Sequence, residues 1–430
     1  MKTPIAITGV GAIAPRACNA QQLWETALVG ACGAEPIPQE WRDYFAPNSL
    51  FWSPLQPQQY QVLENGLTPV EQRQLDISQS LALCATHEAL NDAGLETTCV
   101  NEKKCIFSIP SIDPTRLGVF VGTGVGGISS LLQNHLAHIS PAIPNSALST
   151  SKRFNPFVVP MIMPNALSGQ IGIRFGARGA NHTVSGACSA STIALCLATD
   201  AISRGELDCA IVGGSEFLDE STGALFRGFD IARVLTTAET RPCAKPFTNN
   251  RSGFLFSNGA SGILILESRQ HAQNRGARIL AQILAAAQSF DAYNIMASNP
   301  EGAGARRIIT DLLQRADVSA QDIGHINTHG TGTQEGDRIE AALIEELFPH
   351  TPPLTASKAV FGHTLGASGA LEAILTVLAL QTKTCPPIPC DEEPSRNIGI
   401  SSTTQHIKSP LAISHSFAFG GHNAGLLLAR

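Results

Sequence analysis

Residues 182–204 read HTVSGACSASTIALCLATDAISR and join a strand-like segment, His182–Cys188, to a helix-like segment, Ser189–Arg204. The turn between them consists of small residues, which permit a sharp change of direction. The same alternation of strand-like and helix-like segments recurs along the rest of the chain. Such alternation predicts parallel βαβ units. We therefore expect an α/β fold of two related halves, with a break in the Pro-, Gly- and Asn-rich region 242–259.

Three other segments carry specific structural expectations. Pro69–Ala93 is predicted to form one long helix, because Thr68 and Glu71 have the spacing of a capping box at its start. Val158–Phe175 is also predicted to be helical, with two prolines near its beginning. Glu35–Pro57 is rich in proline and aromatic residues, and we interpret it as an excursion packed on the surface.

Composition limits the class of protein. The 430 residues are 43% apolar and 15% charged, which is enough to bury a large core and too apolar for a disordered chain. A net charge of −6 argues against non-specific nucleic-acid binding. The 11 cysteines include no C-x-x-C pair, so neither a zinc site nor a disulfide framework is expected. Neither a membrane span nor a signal peptide is apparent, so we expect a cytoplasmic protein.

The motif around Cys188 combines a predicted strand end with the start of a predicted helix. The N–H groups and dipole at a helix N-terminus favour negative charge, so a thiolate at this position would be stabilised. A thiolate can hold an acyl group as a thioester. Taken alone, Cys188 is equally compatible with a buried structural thiol, which is the interpretation for most of the other ten cysteines.

Two further motifs place a histidine beside small and polar residues after a predicted strand. Asn327–Thr333 reads NTHGTGT, so His329 lies among hydroxyl groups and open backbone. Ser357–Gly369 reads SKAVFGHTLGASG and brings Lys358 and His363 near one turn. A lone histidine is often structural, and a lone lysine is usually a solvated surface charge. For His329 the surrounding glycines and threonines favour a role at a polar ligand.

A fourth motif, Ser416–Asn423, reads SFAFGGHN. Its phenylalanines and glycines would form an apolar wall with free backbone N–H groups, which suits half of an oxyanion hole. Taken alone, it is equally compatible with a core strand that ends in a turn. The four motifs together, all at predicted strand ends, favour nucleophilic chemistry. A cysteine and two histidines without chelating spacing predict no metal site.

The order Cys188, His329, Lys358, His363 and then Phe419–Gly421 resembles that of the condensing enzymes of type II fatty-acid and polyketide synthesis. The type II β-ketoacyl-acyl-carrier-protein synthases are the most similar group. Further matches are Ile7–Gly11, Gly122–Gly127 and Gly213–Glu216. The resemblance implies a thiolase fold, a five-layer αβαβα sandwich of two βαβαβαββ halves. We expect residues 1–258 to form the half with the nucleophilic cysteine and residues 259–430 the half with both histidines.

The resemblance also implies a reaction, the decarboxylative Claisen condensation. Cys188 would accept the acyl chain from the phosphopantetheine of an acyl carrier protein. His329 and His363 would promote decarboxylation of a malonyl thioester and stabilise the enolate that attacks the Cys188 thioester. The backbone N–H groups of Cys188 and Phe419 would form the oxyanion hole, and Phe419 would gate the entry of the acyl chain.

Supporting roles follow from the same resemblance. Lys358 would orient His363 and pair with Glu372, while Thr331 and Thr333 would hold the pantetheine arm. No cofactor of the protein's own is implied, since the carrier protein supplies phosphopantetheine.

The implied partners are an acyl carrier protein and a second ketosynthase-like subunit. Arg73 and Arg233 resemble basic positions that dock acidic carrier proteins, although either is also compatible with an ordinary surface charge. The second subunit would give either a homodimer or a heterodimer with a chain-length factor.

Several positions depart from the family pattern. The family usually has Arg-Asp-Gly-Phe followed by Gly-Glu-Gly, whereas residues 251–259 read RSGFLFSNG. The differing residues in that stretch are Ser252, Ser257 and Asn258. His422 stands where Thr is usual, His415 where Asn is common, and Met296 where a pantetheine-contacting Thr is expected. These departures favour a specialised polyketide or polyene pathway over housekeeping fatty-acid elongation.

Three other functions are compatible with parts of this pattern. Non-catalytic partner subunits of ketosynthase heterodimers typically lack the cysteine, which is present here as Cys188. Thiolases use a second cysteine near the C-terminus, and the motif around Phe419 has none. An acyltransferase that uses Cys188 without decarboxylation stays open.

Overall fold

Sixteen strands are found in the computed structural model, which describes residues 4–139, 153–218, 221–390 and 392–430. They are β1 (Ile5–Ile13), β2 (Glu35–Pro36), β3 (Phe51–Trp52), β4 (Thr98–Asn101), β5 (Ile106–Ser108), β6 (Leu117–Thr123), β7 (Asn181–Ser185), β8 (Cys209–Phe217), β9 (Gly259–Ser268), β10 (Ala281–Phe290), β11 (Ile323–Asn327), β12 (Leu354–Thr355), β13 (Thr384–Cys385), β14 (Gln405–His406), β15 (Leu411–Phe417) and β16 (His422–Ala429). Ten of these strands form one sheet in the order β12-β11-β15-β16-β10-β1-β9-β8-β6-β7.

Fifteen α-helices accompany these strands in the same described residues. They are α1 (Ala20–Val29), α2 (Gln39–Phe45), α3 (Pro57–Gly66), α4 (Pro69–Gln74), α5 (Ile77–Asp92), α6 (Ile128–Ile139), α7 (Val158–Ile162), α8 (Ala166–Phe175), α9 (Ala190–Ser203), α10 (Ala224–Ile231), α11 (Arg269–Asn274), α12 (Ala303–Ala316), α13 (Gln334–Leu347), α14 (Lys358–Phe361) and α15 (Ser368–Thr382). The alternation of strand and helix that the sequence predicts is therefore confirmed.

The ten-stranded sheet consists of two halves with the same strand pattern. In each half, three parallel strands are followed by two antiparallel ones: β7-β6-β8 then β9-β1, and β12-β11-β15 then β16-β10. In chain order, the second half runs β10, α12, β11, α13, β12, α15, β15 and β16, and the first half has the same succession. The halves join where Ile5 of β1 pairs with Ile283 of β10. Two βαβαβαββ units are thus present, as expected.

The predicted division at residues 258 and 259 differs from the strand pairing. The strand that begins at Gly259 pairs with β8 and β1, which are both strands of the first half. It returns antiparallel to β8, with Gly259 opposite Phe217, after the intervening excursion of the chain. Strand pairing therefore puts the change of halves between Ser268 and Ala281.

Two central helices lie between the sheet halves. Both α9 and α15 are mostly apolar and contact each other as well as strands of both halves. A helix that is apolar on all sides is stable only where it is covered on all sides. Leu365–Thr382 is long and apolar enough to cross a membrane, yet 83% of it is buried in the protein, as befits a core helix. Helices α5 and α8 pack on one half and α12 on the other, and α13 shares the core cluster of α12 and β11, which completes the five-layer sandwich.

Two predicted helices are each divided in two. The helix predicted over Pro69–Ala93 stops at Gln74, and Asp76 caps a new helix by accepting a hydrogen bond from the Ser78 N–H at 2.8 Å. The predicted helix Val158–Phe175 is interrupted between Ile162 and Ala166. Its break contains a proline, which lacks the N–H needed inside a helix.

The segment Glu35–Pro57 is more deeply inserted than the predicted surface excursion. It contains helix α2, and both Trp41 and Trp52 are buried. Their rings lie 4.8 Å apart, and Trp41 contacts Phe226 at 5.4 Å. These side chains belong to the same apolar cluster as Cys188, so the segment contributes to the core around that residue.

Candidate active site

The candidate site lies where the N-termini of the two central helices meet. A 3₁₀ turn, Ala187–Ser189, leads into α9, and a second 3₁₀ turn, Leu365–Ala367, leads into α15. The two helix ends come close because α15 carries Gly369, where an added Cβ would clash with the side chain of Thr192 on α9. The symmetry of the two halves therefore brings equivalent helix ends, from distant parts of the sequence, to one point.

Cys188 and His363 are in direct contact. The Sγ atom of Cys188 lies 3.1 Å from Nε2 of His363, and both residues are buried. The backbone N–H of Leu365 donates to Nδ1 of His363 at 3.2 Å, so that nitrogen must be an acceptor. The imidazole proton consequently resides on Nε2 and points at the sulfur.

His329 is held in the same tautomer by a buried ion pair. The Lys358 ammonium lies 3.3 Å from Nδ1 of His329 and donates to the His329 carbonyl oxygen at 2.7 Å. The same ammonium contacts the Glu372 carboxylate. Because Lys358 can only donate, Nδ1 of His329 is an acceptor and Nε2 carries the proton. Lys358 pairs with Glu372 and bonds to His329, whereas the resemblance implied that it would orient His363.

His329 and His363 are neutral hydrogen-bond donors that lie close together beside Cys188. One side-chain ligand atom from each of Cys188, His329 and His363 lies within 4.8 Å of the others. Burial lowers the pKa of both imidazoles well below its ordinary value, and the Lys358 charge lowers it further. Two neutral Nε2–H groups can stabilise negative charge that develops on a substrate oxygen. Metal ligation through Nε2 would require the opposite tautomer of both rings.

Burial of Cys188 opposes the thiolate that its place at a helix N-terminus favours. Burial raises the pKa of Cys188 to about 11 and outweighs the Lys358 charge and the N–H groups of Phe419 and Cys188, which lower it. A helix end contributes only about a few tenths to 2 kcal/mol of stabilisation, less than desolvation can cost. The same two N–H groups face the sulfur, as an oxyanion hole at this position requires.

Three buried carboxylates support the site and received no role from the sequence. Glu340 accepts the backbone N–H groups of His329 at 2.7 Å and Gly330 at 2.9 Å. Asp337 accepts from Gly332 at 3.0 Å and so shapes the same loop. Glu216 accepts from the Gly366 N–H at 3.1 Å, and burial raises its pKa to about 7. The motif that contains Glu216 was recognised, but a carboxylate that binds backbone has no distinctive spacing.

A cleft opens to solvent beside the reacting groups. Its walls include Cys188, His329, His363, Phe417, Phe419, Thr331 and Thr333. The two threonine hydroxyls are 2.9 Å apart, and Thr331 is largely buried. Phe419 begins a 3₁₀ turn that continues through Gly420, whose φ of +84° suits glycine. The residues predicted for catalysis and pantetheine binding thus line this cleft, apart from Lys358, which contacts His329, and Glu372, which contacts Lys358.

The predicted docking residues lie elsewhere on the surface. Arg73 in helix α4 and Arg233 after helix α10 are both exposed. Nothing in their contacts distinguishes them from ordinary surface arginines.

The departures from the family pattern fall into two groups. Among residues 251–259, the Ser252 hydroxyl accepts the Thr237 N–H at 3.0 Å and Asn258 accepts the Leu55 N–H at 2.8 Å, while Ser257 is fully buried. These polar side chains therefore brace loops. His415 is buried against Glu340, whereas His422 and Met296 are exposed.

The fold and the site together define a condensing enzyme of the thiolase-fold class, an acyltransferase that forms a carbon–carbon bond. The chain belongs to the β-ketoacyl synthase family. Residues 2–272 match the family model for the β-ketoacyl synthase N-terminal domain, and residues 280–390 match that for the C-terminal domain.

Curated relatives agree with this membership. The chain is 32% identical over 434 residues to 3-oxoacyl-acyl-carrier-protein synthase 2 of Staphylococcus aureus, covering 99% of this chain and 98% of the relative. It is 29% identical over 441 residues to the enzyme of the same name from Vibrio cholerae, covering 100% and 99%. The prediction of a type II β-ketoacyl-acyl-carrier-protein synthase is thereby confirmed.

Solved structures confirm the fold. The ishigamide ketosynthase/chain length factor has a TM-score of 0.83 and 26% identity, covering 100% of this chain and 99% of that one. A ketosynthase in complex with its chain length factor from Xenorhabdus doucetiae has a TM-score of 0.79 and 24% identity, covering 99% and 98%. The five-layer thiolase fold is therefore shared with these proteins.

Proposed function

We propose that this chain condenses an acyl group held on Cys188 with a malonyl group carried by an acyl carrier protein. The observation that carries the proposal is the convergence of Cys188, His329 and His363, each with one side-chain ligand atom within 4.8 Å of those of the others. A condensing site needs a nucleophile beside a pair of donors for an enolate oxygen, and these three side chains supply them.

The first step transfers the acyl chain. The Cys188 sulfur attacks the carrier thioester, and the sulfur–carbon bond to the carrier breaks. The proton of the Cys188 thiol leaves with the carrier thiol, so no net acid or base is consumed. The N–H groups of Cys188 and Phe419 stabilise the tetrahedral oxyanion, while the Nε2–H of His363 stabilises the attacking sulfur.

The second step is decarboxylation and condensation. The thioester oxygen of the malonyl group accepts hydrogen bonds from the Nε2–H groups of His329 and His363. The bond between the malonyl α-carbon and its carboxylate then breaks, and carbon dioxide leaves. The resulting enolate carbon attacks the Cys188 thioester and releases a β-ketoacyl carrier protein two carbons longer. One proton from solvent restores the Cys188 thiol. Throughout, Thr331 and Thr333 hold the pantetheine arm in the cleft.

We further propose a specialised polyketide or polyene pathway. Trp41, Trp52 and Phe226 form a rigid aromatic wall in the apolar cluster that contains Cys188. A flat, conjugated acyl chain suits such a wall, because aromatic faces favour stacked contacts. The 26% identity with the ishigamide ketosynthase/chain length factor supports the same direction.

The proposed partners are an acyl carrier protein, docked through Arg73 and Arg233, and a second ketosynthase-like subunit. The edge strand β7 supports the second partner. Within the described residues it pairs only with β6, and nearby Val159 and Ile173 are exposed. An open strand edge beside apolar side chains suits pairing with another chain. The partner is either a second copy or a chain-length factor, as in the heterodimeric relatives.

Mass spectrometry of the intact protein tests this function. The protein is incubated with acyl carrier proteins charged with acyl chains of several lengths and then with malonyl carrier protein. Wild type is expected to gain an acyl mass and release a product two carbons longer, and Cys188→Ala to do neither. Cys196→Ala is the matched control, because Cys196 is a buried thiol on α9, the helix that follows Cys188, and does not line the cleft.

Two other outcomes would decide between the alternatives. Absence of acylation even after addition of a chain-length factor would contradict the proposal and favour a non-catalytic partner subunit. Acylation without carbon–carbon bond formation would favour an acyltransferase that does not decarboxylate.

A further inference from the structure

His415 is a buried histidine whose two ring nitrogens have different surroundings. It lies on β15 with its side chain fully inaccessible, and its Nε2 is 2.6 Å from Oε1 of Glu340. Its Nδ1 has no hydrogen-bond partner in the part of the chain that the structure describes. Burying a polar atom without a partner costs about 1–3 kcal/mol. His415 has this unfavourable burial close to the cleft that contains Cys188, His329 and His363.

The bond to Glu340 links His415 to the loop that carries His329. The carboxylate of Glu340 also accepts the backbone N–H groups of His329 and Gly330 at 2.7 and 2.9 Å. Glu340 thus accepts from two backbone N–H groups in the loop after β11 and from the His415 side chain on β15. The bond from His415 therefore fixes the position of the carboxylate relative to the sheet, and the carboxylate in turn fixes the backbone of His329.

The ring of His415 has a second contact at the cleft. It stacks on Phe417, with ring centroids 4.6 Å apart and an angle of 18° between the planes. Phe417 lines the cleft and lies 6.2 Å from the ring of His329. One side chain thus braces His329 through Glu340 and the wall of the cleft through Phe417.

We propose that His415 is a positioning residue for the decarboxylation step, and that it acts on His329 through Glu340. This inference rests on the proposed function, since it assigns His329 to the malonyl thioester. His363 is held separately, by the N–H of Leu365. Loss of the His415 donor is therefore expected to impair decarboxylation while leaving acylation of Cys188 largely intact.

The test separates the two half-reactions in two variants of His415. His415→Phe keeps a ring that can stack on Phe417 and removes the donor. Its rate of malonyl carrier protein decarboxylation is expected to fall roughly 10–100-fold, because misplacement by about 1 Å can cost that much. Acylation of Cys188 by octanoyl carrier protein is expected to stay within about threefold. His415→Asn, whose amide can still donate, is expected to recover most of the decarboxylation rate.

Two additional variants keep the test decisive. His325→Phe is the matched control, because His325 is equally buried but bonds to Thr355 instead of Glu340; its half-reactions should change alike or not at all. If His415→Phe does not fold, Glu340→Gln tests the same link and should also lose decarboxylation selectively. Equal loss of both half-reactions, or loss of neither, would overturn the inference. Failure of wild type to condense would instead refute the proposed function.

Discussion

The Nε2 atom of His363 lies 3.1 Å from the Sγ atom of Cys188, although 175 positions separate the two residues in the sequence. The proton on Nε2 points at a sulfur that is buried and protonated. This arrangement differs from a thiolate–imidazolium pair, in which the histidine would be charged. The difference can be measured directly.

The alkylation rate of Cys188 should depend steeply on pH. Because burial raises the pKa of Cys188 to about 11, the thiolate fraction should increase about tenfold for each pH unit between 7 and 10. Iodoacetamide labelling followed by peptide mass spectrometry measures the rate. Free cysteine, with a pKa of about 8.5, is the reference and should level off above roughly pH 9. A Cys188 rate that is flat from pH 7 to 9 would reveal a thiolate pair and contradict this assignment.

Replacement of the two histidines should affect the half-reactions differently. His329→Ala is expected to slow decarboxylation of malonyl carrier protein about 10²–10³-fold, as the loss of one donor to an oxyanion does elsewhere. Acylation of Cys188 should be nearly unchanged, because no hydrogen bond joins His329 to the sulfur among the described residues. His363→Ala should slow both steps. Equal effects of the two variants on acylation would show that the roles are not divided in this way.

The buried ion pair of Lys358 and Glu372 should dominate the stability of the site. Lys358→Met leaves the Glu372 carboxylate without its cation and is expected to lower the free energy of unfolding by about 3–5 kcal/mol. The double variant Lys358→Met/Glu372→Gln should recover part of that loss, because no buried charge is left unpaired. Urea unfolding measures both variants. A double variant no more stable than the single one would mean that the loss comes from packing.

The aromatic wall should influence the choice of acyl chain. Trp41→Ala is expected to cost about 3–5 kcal/mol of stability and to broaden the range of acyl chains loaded on Cys188. Trp24→Ala is the matched control, because Trp24 is similarly buried but belongs to a different apolar cluster. Competition among carrier-bound acyl chains, read by mass spectrometry, measures the preference. If both variants shift the preference alike, Trp41 does not line the acyl site.

The four motifs predicted most of the site because each combines a reactive residue with a turn of small residues at a strand end. Cys188, His329, His363 and the Phe419 turn all lie where they were expected. The carboxylates Glu216, Asp337 and Glu340 were assigned no role. They bind backbone N–H groups from other elements, and such contacts have no periodicity or spacing in the sequence.

Errors in the predicted elements have local physical causes. The break between α4 and α5 occurs where Asp76 caps a new helix, although apolar residues continue on both sides of it. Of the two helices, only α5 packs apolar residues into the core, since α4 has no buried residue, and hydrophobic spacing does not show where one helix ends and the next begins. The insertion of Trp41 and Trp52 was likewise invisible, since aromatic residues in a proline-rich segment are compatible with either surface or core.

The sequence by itself determined the α/β class, the family, and the candidate reacting residues, because strand–helix alternation and small-residue turns are local properties. Only the tertiary structure decided the protonation states and the partners of those residues. Burial, which raises the pKa of Cys188 and lowers that of both histidines, is a property of the assembled layers. Lys358 contacts His329 instead of His363, the partner that the resemblance implied, because of how α14 and the loop after β11 meet in space.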